Sequence, residues 1–361
     1  SRAYASAKRP KQLAAMVHSA ENAVRAAGDG STPPARQPIP SMQRIVFSVY
    51  VGLGTVIKLT QHKARELQYN FLCPIVVISV AKLTCSLALY AWFDGPLHGL
   101  PGHVVAARGV VLRYAVVAAL FCLYDVLSFV NLGIFDPATY LMFLQLRTVI
   151  TGAVWEVAFA KKLSWLQRGA LALICLACIA KQTRAGSGPG TAAAVPLTSH
   201  ILLALQVVAN CMAGVANELL LKSKGEVPFF LQNVVQYMWA IVWCLLIGAV
   251  CPLEGVRLNP LDLQEWAKMT DPRMLPNILV LTLLGLVTSV LLKVLDSIWK
   301  AIATALELFL TCFASALVFG YPVHATDLAT LCMAATGVGL YAWPAAKVRP
   351  GPAFAKRDSE V

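Results

Sequence analysis

The sequence predicts an all-α, polytopic membrane protein with ten transmembrane helices in two inverted five-helix repeats. Three observations lead there. Of 361 residues, 58% are apolar and only 13% charged, and mean hydropathy is +0.66, where soluble proteins carry roughly 25% charged residues. The apolar residues gather into runs of membrane-spanning length. The basic residues concentrate in alternate connections between those runs. A chain of this composition cannot cover a water-facing surface with polar groups, which argues against a soluble enzyme, a nucleic-acid binder and a disordered scaffold.

About 20 apolar residues cross a bilayer as a helix. Ten runs qualify: 44–61, 70–93, 109–132, 137–159, 164–181, 197–221, 228–250, 275–295, 300–320 and 325–344. Breaks fall at Asp94-Gly-Pro, Asp136-Pro137, Lys161-Lys162, residues 182–196, Lys222 to Pro228, Cys251 to Pro276 and Tyr321-Pro322. Lys58 and Lys293 shorten the first and eighth runs, the weakest of the ten. The organisation that follows is a basic tail over 1–43, a first half over 44–181, a linker over 182–196, a second half over 197–345 and a tail over 346–361.

The net charge of +12 is a matter of placement. Half of it lies in the two tails, which read as disordered and suit an anionic membrane face. No aromatic-interleaved basic patch supports nucleic-acid binding, and residues 1–40 hold no apolar stretch of the secretory-signal kind. With both tails on one side, that side collects 20 Lys and Arg, the other 7, and three lie within spans. The bias places both termini in the cytoplasm. Ala138-Thr139 opens span 4 and Ala303-Thr304 lies in the first turn of span 9, and each is followed by a similar apolar run, break and helix, so that spans 3–5 and 8–10 look alike. An odd number of helices per half makes the halves opposite in topology, with a site expected near the midplane between them.

Ionisable residues inside spans are costly and face a cavity or a partner. Here they are Lys58, Lys82, Asp125, Arg147, Glu156, Glu218, Lys293, Asp296 and Glu307. Lys58, Glu156 and Lys293 lie near span ends, where snorkelling accounts for them. Lys82 and Arg147 lie deeper. An anionic ligand suits them, since Arg offers a bidentate fork and Lys a mobile charge. Internal pairing, Lys82 with Asp125 or Asp296 with Lys300, is the alternative. The cysteines fall in apolar runs and read as packing residues. Cys175-x-x-Cys178 lies mid-helix with no second pair, which argues against a metal. No nucleophile–base arrangement, zinc-protease signature or phosphate-cradling loop appears, so neither an enzyme nor a cofactor is expected.

Certain stretches are more specific. Phe135-Asp-Pro-Ala-Thr-Tyr140 leads to Gln145-Leu-Arg147 and then to Lys161-Lys-Leu-Ser-Trp-Leu-Gln167. Ala213-Gly-Val-Ala-Asn-Glu218 with Leu221-Lys222 forms a second block, and Lys293-Val-Leu-Asp296-Ser-Ile-Trp-Lys300-Ala-Ile-Ala-Thr304 a third. Together they resemble the nucleotide-sugar transporters of the drug/metabolite transporter superfamily, in the branch of the CMP-sialic acid and UDP-galactose type, over roughly residues 44–345. The resemblance implies a ten-helix antiporter of the Golgi or endoplasmic reticulum membrane. Such a carrier exchanges a cytosolic nucleotide sugar for a luminal nucleoside monophosphate. Small-xxx-small spacing at Ala335 and Gly339 allows helix packing within the chain or between two copies, which leaves a homodimer open. Matched to the family's positions, the substrate-binding residues are Lys82, Phe121, Asp125, Tyr140, Arg147, Asn233, Tyr237 and Lys293. The cations would meet phosphates, a tyrosine the base and Asn233 a base edge. Departures stand at Ser79 (Glu in the family), Asp125 (Asn), Arg147 (Lys), Ala216 (Tyr) and Gln232 (Arg). Asp125 would stand in for the carboxylate that Ser79 lacks. A same-fold carrier of another organic anion, or a transport-inactive scaffold, are the competing expectations.

Overall fold

The computed structural model describes residues 41–64, 69–135, 140, 143–185, 196–223, 227–250, 263–319 and 325–343. The expected tails, apart from residues 41–43, which already belong to the first helix, and most of the 182–196 linker lie outside these. The principal helices are α1 (Ser41–Ala64), α2 (Leu72–Phe93), α3 (Arg108–Ile134), α4 (Arg147–Phe159), α5 (Trp165–Ala185), α6 (Leu197–Lys222), α7 (Phe229–Val250), α8 (Leu275–Val294), α9 (Ser297–Phe319) and α10 (Ala325–Ala342). Among the described residues no strand occurs. Among the described residues, six helices, α2, α3, α6, α7, α8 and α9, are long and apolar enough to cross a membrane. The chain is therefore an all-α, polytopic membrane protein. Its outward faces carry large apolar side chains, such as Leu317 at 89% and Val157 at 84% exposure, which only lipid would solvate.

The eighth run is stronger than its sequence reading: α8 runs unbroken through Lys293, which sits in the last turn and shortens nothing. Of the fourth run, residues 137–139 and 141–142 lie outside the described residues, and over 143–159 the helix is not regular. Ahead of Arg147 the backbone tightens, with Leu146 N–H donating to Phe143 O and Thr148 N–H to Gln145 O, both at 3.1 Å. Such i→i+3 stretches within helices mark hinges and sites.

The α4–α5 corner follows from local chemistry. Ala160 adopts a left-handed φ of 50° and closes α4. Ser164 and Gln167 then form a capping box: Gln167 N–H donates to Ser164 Oγ at 3.2 Å, and Ser164 N–H to Gln167 Oε1 at 3.1 Å. Glu156 does not snorkel. It accepts from Leu163 N–H and pairs with Arg168 at 2.9 Å, bracing the corner.

Helix packing uses small residues and hydrogen bonds, as expected where lipid competes for apolar surface. α5 and α10 meet at Gly337, where a Cβ would lie 2.6 Å from Ile174 Cγ1 and 3.1 Å from Ala170 O. The small residues at Ala335 and Gly339, by contrast, face outward. α7 is tied to α3 by two indoles one turn apart, Trp239 Nε1 to Val111 O at 3.0 Å and Trp243 Nε1 to Ala115 O at 2.9 Å. Gln206 of α6 is a hub. Its amide donates to Ser128 Oγ and Tyr140 Oη, and its carbonyl accepts from Asn131, each at 2.7 Å.

At one end a polar clasp joins α4, α6, α8 and α9. Glu218, 1% exposed, accepts from Ser297 N–H at 2.8 Å, Ser297 Oγ at 2.6 Å and Lys222 Nζ at 2.8 Å, with Trp155 Nε1 at 3.4 Å. It thus caps the N-terminus of α9 with negative charge. Lys222 also reaches Leu295 O, and Lys293 donates to Leu221 O at 2.8 Å. The two lysines cap each other's helix C-termini. Asp296 completes the junction by accepting from Trp299 N–H at 2.8 Å, so it caps α9, where the sequence had offered pairing with Lys300.

Two stability outcomes follow. Gly337→Ala should melt several degrees below Gly339→Ala in detergent thermal unfolding, because the two share any helix-propensity gain and only Gly337 meets backbone at close range. Glu218→Ala should lower folded yield by size-exclusion fluorescence, since removing one partner of a buried ion pair costs roughly 3–5 kcal/mol.

Candidate functional site

The bundle holds a partly open cavity of about 450 Å³ lined from α1, α2, α3, α4, α6, α7, α8 and α9, within the size range of small-molecule sites, about 300–1,000 Å³. Its charged lining is Lys58, Lys82, Asp125, Arg147, Lys300 and Glu307. Each arrives by helical spacing. α1 contributes Tyr50, Ile57 and Lys58; α2, Ser79 and Lys82; α3, Phe121, Tyr124 and Asp125; α9, Lys300, Thr304 and Glu307, the last three on one face at i, i+4 and i+7. Arg147 enters at the start of α4, directly after the tightened turn. Its buried Nε has no hydrogen-bond partner.

Two glycines make room for the charges. A Cβ on Gly285 would come within 2.3 Å of Lys82 Cε, and one on Gly54 within 2.1 Å of Glu307 Cδ. Lys82 thus lies across the bare backbone of α8, and the Glu307 carboxylate lies against α1. Lys82 Nζ stands 5.7 Å from the Tyr237 ring centroid, and Lys300 Nζ 5.6 Å from that of Phe121, both within cation–π range. Among the described residues, no ion pair joins Lys82 to Asp125. Nor does any group of three His, Cys, Asp or Glu side chains stand close enough to hold a metal ion. Cys175 and Cys178 are buried in α5.

Of the eight residues singled out from sequence, five line this cavity: Lys82, Phe121, Asp125, Arg147 and Tyr237. Three do not. Tyr140 is buried against Phe135, Leu144 and Leu203, with its hydroxyl accepting from Gln206. Asn233 sits one turn before Tyr237, buried, with its Oδ1 unpartnered. Lys293 is drawn to the α6 C-terminus by Leu221 O. Gln232, the departure from the family's Arg, is also outside the lining. It accepts from Tyr114 Oη at 2.8 Å and donates to Val227 O at 3.0 Å. Lys58, Lys300, Glu307 and Tyr50 line the cavity although they were not among the eight. The i, i+7 spacing of Lys300 and Glu307 along a run of apolar residues was the legible signal; the inward turn of Lys58 had none.

The cavity can receive an anion whose charge spreads across several helices, flanked by aromatic faces. Comparison with known proteins identifies the family. The model of the family described as Nucleotide-sugar transporter matches residues 42–342. The chain is 32% identical over 330 residues to the UDP-galactose transporter senju of Drosophila melanogaster, covering 82% of this chain and 84% of the relative. It is 27% identical over 286 residues to CMP-sialic acid transporter 3 of Arabidopsis thaliana, covering 78% and 69%. A crystal structure of a protein 12% identical superposes with a TM-score of 0.60, over 84% of this chain and 98% of that one, which speaks to the fold alone. Since the family model spans all ten principal helices and a relative at 32% identity covers most of both chains, this chain belongs to the nucleotide-sugar transporter family.

Proposed function

We propose that this protein is a nucleotide-sugar antiporter of the Golgi or endoplasmic reticulum membrane, exchanging a cytosolic nucleotide sugar for a luminal nucleoside monophosphate. The observation that carries the reading is the convergence of Lys82, Arg147 and Lys300, from α2, α4 and α9, on one cavity with Phe121 and Tyr237. A diphosphate bears two or more negative charges, which three cations from separate helices neutralise. Arg147 at a helix start adds the favourable end of the α4 dipole. Tyr237 or Phe121 offers a face for the base.

The ten principal helices serve as ten spans in two inverted halves, 44–181 and 197–345. In support, the main packing pairs map onto one another when helices are shifted by five. α1 packs on α8 and α9, as α6 packs on α3 and α4, while α2–α7, α4–α9 and α5–α10 pair with each other. The excess of Lys and Arg on one side places both termini in the cytoplasm, and the Glu218 clasp then lies at the cytoplasmic end. Alternating access proceeds by rocking of the halves, with the Lys222 and Lys293 straps broken and remade. Exchange follows because empty, uncompensated cations make reorientation of the unloaded carrier slow. The outward Ala335–Gly339 face of α10 is free to pack against lipid or a second copy.

Proteoliposomes preloaded with CMP, UMP, GMP or AMP, and offered labelled nucleotide sugars, should show uptake that depends on one internal monophosphate. Absence of exchange with every pair would overturn the proposal. Arg147→Ala should weaken substrate affinity roughly 10–100-fold, the worth of a charge-assisted hydrogen bond, while its thermal unfolding stays near that of the parent. Gly285→Ala should leave stability nearly unchanged, since only the flexible Lys82 side chain must move. It should still raise the half-saturating concentration several-fold; unaltered transport would show that the position of Lys82 is immaterial.

A further inference from the structure

Glu307 lies at the middle of α9 and lines the cavity, yet it is only 5% exposed. Its Oε1 is buried without a hydrogen-bond partner. Both carboxyl oxygens lie against the bare backbone of Gly54, where a Cβ would come within 2.2 Å of Oε1 and 2.6 Å of Oε2. The amides of α1 are spent inside that helix, so this wall offers contact and no donor. An ionised carboxyl only accepts, and a buried acceptor left without a donor is costly.

The titratable and charged groups that share the cavity with Glu307 from helices packed on α9 are Tyr50 and Lys58 of α1, Arg147 of α4 and Cys211 of α6, with Lys300 on its own helix. Helices α5, α8 and α10 also pack on α9, and they add no titratable side chain to the lining. Arg147 and Lys300 are two of the three cations that receive the diphosphate. Lys300 stands two turns before Glu307 on the same face, about 10 Å along the axis. A phosphate held there meets an ionised Glu307 as a like charge and as a competitor for the same cations. The protonated carboxyl is a better neighbour, because it is neutral and donates an O–H.

We propose that Glu307 is a proton-binding site linked to the ligand: it takes up a proton as an anionic nucleotide enters the cavity and releases it as the anion leaves. The proton passes from water in the partly open cavity to a carboxylate oxygen. Linkage is reciprocal, so a proton on Glu307 favours the anion as much as the anion favours the proton. Binding is then strongest below the pH at which Glu307 titrates in the empty carrier, and it weakens as pH rises toward the titration of the loaded one. Each loaded form carries the proton, so exchange stays proton-balanced, while affinity on either side follows the pH of the compartment that the cavity faces. This rests on the nucleotide-sugar reading above and deepens it.

The test is calorimetric titration of the full chain in lipid nanodiscs with UDP-galactose, GDP-mannose and CMP-sialic acid in turn, each in two buffers of different ionisation heat. The pH runs from about 6 to about 8.5, where none of these probes titrates, whereas a monophosphate does near 6. For a probe that binds, the parent protein should take up protons, and its dissociation constant should rise at least about tenfold across the range, one pKa unit of linkage. Glu307→Gln, neutral at every pH, should bind with no proton uptake and a flat dissociation constant. Asp125→Asn, which removes the other carboxyl of the lining, should keep the uptake. Binding without proton uptake in the parent protein, or uptake that survives Glu307→Gln, overturns this inference and leaves the transporter reading standing. Absence of binding by every probe overturns both. Where Glu307→Gln does not fold, Asp125→Asn decides: uptake lost there overturns the inference, and uptake retained upholds it.

Discussion

Hydrocarbon solvates neither an ion nor a bare backbone amide, and the architecture is organised around that constraint. The chain carries ionisable residues along helices that are otherwise apolar, and the nine singled out within the spans gather at three places, a cavity, the clasp and the α4–α5 corner. Lys58, Lys82, Asp125, Arg147, Lys300 and Glu307 face one cavity. Glu218, Lys222 and Lys293 satisfy one another and the helix ends at the clasp. Glu156 and Arg168 do the same at the α4–α5 corner. The cavity exists because these charges need an interior, and the charges give the cavity its chemistry.

A second consequence concerns what holds the helices together. Lipid tails are as apolar as leucine, so burying leucine between helices gains little. The bundle instead uses close approach and polar ties. Gly337 lets α5 and α10 touch, Gly54 and Gly285 admit side chains that a methyl group would exclude, and the Trp239, Trp243 and Gln206 bonds lock α3 to its neighbours. Glycine here serves two ends, helix contact and the placement of functional charge.

The clasp and the cavity meet at α9. Ser297, whose N–H and hydroxyl are held by Glu218, lines the cavity together with Lys300, one turn further along. A ligand pulling on Lys300 and a clasp holding Ser297 therefore act on the same first turns of one helix. This gives occupancy of the site a direct mechanical route to the end of the bundle.

The sequence alone determined the class of the protein. Apolar runs and scarce charge demand a membrane, and the ordered blocks around Arg147, Glu218 and Lys300 point to the family. These are local or compositional properties, readable without knowing which helix touches which. Five of the eight expected site residues reach the cavity because helical periodicity already put them on inward faces. Only the tertiary structure decided the rest. Lys293 and Lys300 lie seven residues apart across the α8–α9 break, and nothing in their spacing says which turns inward. The carbonyl of Leu221 claims the first, and Asp296, by capping α9, leaves the second to the cavity. Likewise Tyr140 is claimed by Gln206, a partner 66 residues away. A polar side chain in a membrane protein goes to whichever partner can satisfy it, and that partner is set by packing between helices distant in sequence.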